Sequence, residues 1–92
     1  MIRPNAKQKG NVNIMNQKKL VEIMVELLKV SEEDVTDEMS VENCDSWDSL
    51  VHVELLSSLE EAFDVDFDIQ DAIEIDSVAE IKRVLTEKGV EF

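Results

Sequence analysis

The residues best suited to chemistry are Asp48-Ser49-Leu50, where a long polar segment meets an amphipathic one. A serine at such a junction has three useful properties. Its hydroxyl lies near the first N–H groups of a helix, where unpaired amides and the helix dipole favour an attached phosphate. An enzyme can reach it. An apolar residue follows it and can meet a partner surface. The same residues also suit a plainer role, because Asp-Ser is a common helix start and either side chain can act only as a cap.

Other chemistry-bearing residues are weaker candidates. His52 stands one turn from Ser49, but a nucleophilic triad also needs an oxyanion hole and an orienting group. No glycine-rich elbow accompanies the pair, so no catalytic residue is assigned. The helical phase makes His52 an exposed residue beside an apolar stripe. Asp64, Asp66 and Asp68 begin like a calcium loop, which needs glycine at its sixth position and glutamate at its twelfth. Ile69 and Ile75 stand there instead, so a solvated acidic connection is the reading and no metal site is assigned. Cys44 lies between the acids Glu42 and Asp45, which dull a thiol's reactivity. It reads as a packed loop residue, and Trp47 as a loop anchor.

The segments around Ser49 must position it. From Asn16, a possible N-cap, to about Val30, the residues Leu20, Ile23, Met24, Leu27 and Leu28 recur at helical spacing. Residues 31–48 break that period. Loops of this length are usually functional or disordered. Val35, Met39, Val41 and Trp47 can pin this one to a core. Residues 49–63, SLVHVELLSSLEEAF, form the strongest helix pattern, with Asp48 at the N-cap position. Leu55, Leu56, Leu59 and Phe63 make its apolar stripe, and Glu54, Glu60, Glu61 and Asp64 an acidic outer face. Residues 64–76 fit either a short strand or a turn of helix at Gln70–Ile73, with Phe67 and Ile69 folded inward. A last helix runs from Ser77 to about Lys88. Glu80 completes a capping box with Ser77, and Gly89 ends the helix. The sum is an all-α bundle of three to four helices with a long first loop.

Composition bounds the rest. Ninety-two residues make one domain at most. A chain this short buries a modest core, with little room for a deep enzyme cleft. Residues 1–19 hold five basic residues and no acid, whereas residues 20–92 hold four basic residues and all 22 acids, a net charge of −18. The acidic body repels nucleic acid and anionic membrane and favours partners with basic patches. Self-repulsion also favours a monomer. The single cysteine excludes an intramolecular disulfide and fits a reducing cytoplasm. No apolar run reaches the length of a membrane span. The N-terminus lacks the apolar stretch of a secretory signal. Residues 1–14 are polar and aperiodic, and read as a disordered basic tail or extension ahead of a domain at 15–92.

The stretch DSWDSLVHVELLSSLEEAFDVDF resembles the acyl carrier protein family. In that family a D-S-L serine begins the second helix and a pattern like V-E-L…L-E-E-F follows. Asp48, Ser49, Leu50, Val53, Glu54, Leu55, Leu59, Glu60, Glu61 and Phe63 match without a gap. Ala72, Ile75 and Val78 fall where that family places its later core. The resemblance covers about residues 16–88. It implies that a phosphopantetheinyl transferase moves 4'-phosphopantetheine from coenzyme A onto the Ser49 hydroxyl, with Asp48 helping to position the transferase's metal. The arm's thiol then holds an acyl or aminoacyl group as a thioester for partner enzymes, and the protein itself makes no bonds. Leu50, Val53, Glu54, Glu60 and Glu61 are the implied partner-binding residues, and basic docking patches on synthases or acyltransferases their counterparts. Trp47 stands where glycine often precedes D-S-L, Val51 replaces a frequent acid, and His52 follows. These departures resemble carriers outside the main fatty-acid pathway. The competing reading is an unmodified acidic adaptor for a basic protein.

Overall fold

The computed structural model describes the backbone of residues 4–92 and side chains from Ile14 onward. Four helices follow in order: α1 (Pro4–Leu28), α2 (Ser49–Phe63), α3 (Ile69–Glu74) and α4 (Val78–Glu87), with one 3₁₀ turn at Glu32–Asp34. No strand occurs among the described residues.

α1 begins well ahead of the Asn16 start expected from periodicity. Proline is tolerated in the first helical turn, because its missing N–H has no partner there anyway. The apolar spacing marks the stretch of α1 that holds its buried residues among the described side chains, from Leu20 to Leu28. Asn16 caps nothing; its Nδ2 donates to the Glu91 carbonyl at 2.9 Å. Of the disordered tail expected over residues 1–14, residues 1–3 lie outside the described residues. The rest is written into α1.

The core sits where α1, α2 and α4 meet. Leu20, Met24 and Leu28 of α1 face Leu55 and Leu59 of α2, with Ile81, Val84 and Leu85 of α4 closing the cluster. Each fully buried Leu or Ile contributes roughly 1.5–3 kcal/mol from removal of its surface from water. α1 ends at Lys29, whose φ of 60° turns the chain out of the helix.

The long loop is packed. Met39, Cys44 and Trp47 are buried, Val35 is partly buried, and Val41 is exposed. Its backbone is tied to the start of α4: the Val41 N–H donates to the Asp76 carbonyl at 3.0 Å and the Val78 N–H to the Met39 carbonyl at 2.9 Å. Ser46 Oγ donates to the Leu28 carbonyl at the end of α1.

α4 carries its expected cap and stop but only half of the expected capping box, because the Glu80 carboxylate pairs with Arg83 rather than with the Ser77 N–H. Ser77 accepts from the Glu80 N–H at 3.1 Å. Gly89, at φ 101°, lets the Gly89 and Val90 amides fold back onto the Thr86 and Leu85 carbonyls. Within residues 64–76 the choice falls to a helical turn, Ile69–Glu74, and no strand forms among them. Asp64 terminates α2 in the left-handed region, which aspartate tolerates better than most residues. Asp68 caps α3 through the Asp71 N–H. These roles account for two of the three aspartates with calcium-loop spacing. Phe67 turns partly inward as expected, but Ile69 is 80% exposed.

Candidate functional site

Ser49 is the first residue of α2 and is exposed. The loop delivers it there because Trp47, 3% exposed, is held in the core two residues earlier. Asp48 then takes the N-cap: its Oδ1 accepts from the Val51 N–H at 2.9 Å. That leaves the Ser49 and Leu50 amides at the helix start, where the dipole is positive and no intrahelical acceptor exists.

Beside Ser49 lies an open cleft of about 440 Å³. Its apolar wall comes from Val41, Trp47, Val53, Ile73 and Ile75, and its polar rim from Asp48, His52 and Asp76. One side is α2 and the loop, and the other is α3 with the strap that follows it.

His52 differs from the exposed residue its helical phase predicts. It is partly buried and bonded at both ring nitrogens. Trp47 Nε1 donates to His52 Nδ1 at 3.1 Å, and His52 Nε2 lies 3.1 Å from the Ala72 carbonyl. An indole N–H only donates and a carbonyl only accepts. The ring is therefore assigned as neutral, with Nδ1 accepting and Nε2–H donating. Phase analysis misses this because it asks only which side a residue faces. The available signal was compositional: the chain's single tryptophan and single histidine sit five residues apart.

The expected partner-binding residues divide. Leu50, Val53, Glu54 and Glu61 are exposed and fall on one stripe of α2 by their spacing. Leu50 is 69% exposed although apolar. Glu60, two turns after Val53, borders that stripe but is partly buried and engaged within the fold, where its Oε2 accepts from the Phe67 N–H at 2.8 Å. Two apolar residues not expected at a partner surface, Ile69 and Ile73 of α3, are also exposed.

Polar ties secure α3 to α4. Lys88 pairs with Asp71 at 2.8 Å and Arg83 with Glu74 at 2.8 Å. The Lys88 hydrogen bond, aided by the Asp68 amide contact, holds the Asp71 carboxyl below its ordinary value. Gln70 and then Arg83 do the same for Glu74. In return, Asp71 raises the Lys88 ammonium, and Glu74 followed by Glu80 raises the Arg83 guanidinium.

A helical bundle with an exposed serine at the start of its second helix, beside an apolar cleft, defines a class of small carrier proteins. The family model for the phosphopantetheine attachment site matches residues 18–85. An acyl carrier protein from Syntrophobacter fumaroxidans (strain DSM 10017 / MPOB) is 43% identical over 65 residues, covering 71% of this chain and 80% of that protein. The chain belongs to the acyl carrier protein family of phosphopantetheine carriers. Its cofactor is covalently bound 4'-phosphopantetheine. Among the described residues no helix is long and apolar enough to cross a membrane.

Proposed function

We propose that Ser49 is the attachment point of the 4'-phosphopantetheine arm, and that the protein presents an acyl or aminoacyl group to partner enzymes. The carrying observation is the exposed Ser49 hydroxyl at the first position of α2, beside the apolar cleft. These residues fit the group. Backbone amides at the helix start favour the phosphate's negative charge, and the cleft has apolar walls against which a chain can lie. When bound, the arm supplies a terminal thiol that holds cargo as a thioester. Asp48 keeps the helix start ordered through Val51 and presents a carboxylate beside the hydroxyl. The Leu50, Val53, Glu54 and Glu61 stripe meets partners carrying basic patches, where opposite charge speeds encounter. A phosphopantetheinyl transferase is the first such partner. Glu60 acts mainly through its bond to Phe67. The carrier domain spans residues 15–92, in the cytoplasm, and cargo is made and consumed by other enzymes.

The test is an intact mass after incubation with coenzyme A and a broad-specificity transferase. The expected result is one phosphopantetheine increment, absent from Ser49→Ala. No increment in the unaltered chain leaves the acidic-adaptor reading. An increment retained in Ser49→Ala overturns the site.

A further inference from the structure

We propose that His52 is a positioning residue: together with Trp47 it latches α3 over the cleft beside Ser49 and so sets the width of that cleft. The latch rests on the Ser49 reading only for what the cleft serves.

The need for a latch follows from α3 itself. It has six residues, none of them buried. A helix that short does not hold by its own hydrogen bonds; Phe67 before it and Ile75 after it pack on the core, but its own side chains are at most partly buried. Its position therefore depends on what grips it. Two grips, Asp71–Lys88 and Glu74–Arg83, reach α4 through partly exposed ion pairs, which are individually weak. Among the described residues, the His52 contact with the Ala72 carbonyl is the one hydrogen bond between α2 and α3 themselves.

His52 is suited to that task because its other nitrogen is anchored. The Trp47 indole is held in the core, and its N–H fixes Nδ1 as the acceptor. That leaves Nε2 with the proton, aimed at Ala72. Moving the proton to Nδ1 would set donor against donor at Trp47 and lone pair against lone pair at Ala72. Core, imidazole and α3 thus form one chain of two bonds with one permitted tautomer. Ala72 and its neighbour Ile73 line the cleft. Whatever fixes Ala72 fixes the cleft wall opposite α2.

The experiment is amide hydrogen exchange and imidazole nitrogen spectroscopy on the full, unmodified chain. In the unaltered protein the His52 ring should show the Nε2–H tautomer. In His52→Ala, the Ala72 and Ile75 amides of the α3 turn should exchange about tenfold faster, as expected for loss of one to two hydrogen bonds. The Met24 and Leu59 amides should change far less. His52→Gln, whose amide can accept from Trp47 and donate to Ala72, should recover part of the protection. Three results would each overturn the latch: an Nδ1–H ring, unchanged α3 exchange in His52→Ala, or acceleration by the same factor at every amide. Because the readouts use unmodified protein, a missing mass increment at Ser49 leaves them standing. Conversely, unchanged α3 exchange leaves the attachment reading standing.

Discussion

α2 and α3 face each other across one cleft and are held by different forces. α2 buries Leu55 and Leu59 completely and shares a core with α1 and α4. α3 has no fully buried residue; between the flanking anchors Phe67 and Ile75 it is tied by two ion pairs and an imidazole. Apolar burial is non-directional and sums over a whole face. Polar ties are directional and can be released one at a time. The side that bears Ser49 is therefore a fixed scaffold, and the opposite side is an adjustable wall.

The largest effect that would break this contrast comes from the scaffold. Leu59→Ala should cost about 2–5 kcal/mol in denaturant unfolding, the usual range for a buried leucine truncated to alanine. Ile69→Ala, at an 80% exposed position of α3, should stay within about 0.5 kcal/mol. Comparable costs at the two sites would erase the distinction. Asp48→Ala comes next. It removes an N-cap and should lower stability by about 1 kcal/mol in the same assay.

Acid should separate the two sides more gently. Asp71 and Glu74 have carboxyls held below their ordinary values by Lys88, Gln70 and Arg83. A group lowered in this way contributes stability above the ordinary carboxylate range and loses it as pH falls through the lowered folded value. Both pairs are solvated, so the contribution is modest. Exchange at α3 amides should accelerate below that range before exchange at α1 and α2 amides does. Simultaneous acceleration would mean that α3 has no independent hold. The smallest effect belongs to the N-terminus. Removing residues 1–14 should shift stability by less than about 0.5 kcal/mol, because among the described side chains the buried positions of α1 begin at Leu20.

The same contrast governs what the sequence reveals. Burial leaves a period, so α2, α4 and the inner part of α1 can be read from the spacing of Leu55, Leu59, Ile81, Leu85, Leu20 and Met24. Caps leave local signatures, and Asp48, Ser77 and Gly89 take the places their types suggest. Ser49 stands out in the sequence because position and family pattern agree on it, and its exposed place at the start of α2 follows from the Asp48 cap. The wall opposite is harder to read. Its ties join residues such as His52 and Ala72, or Arg83 and Glu74, whose pairing follows no period. The start of α1 is missed because residues 4–13, PNAKQKGNVN, carry no apolar period to mark a helix. Ile69 looks like core by type, yet the Asp68 cap begins the helix in a phase that turns it to solvent.

The Trp47–His52 contact also has an optical consequence. The chain has one tryptophan and no tyrosine. Its intrinsic emission therefore comes from a single ring, and that ring is bonded to a residue lining the cleft beside Ser49. Any event that shifts this wall alters the surroundings of the only bright chromophore. The protein thus holds its own reporter of that wall, one that can be read on unlabelled protein.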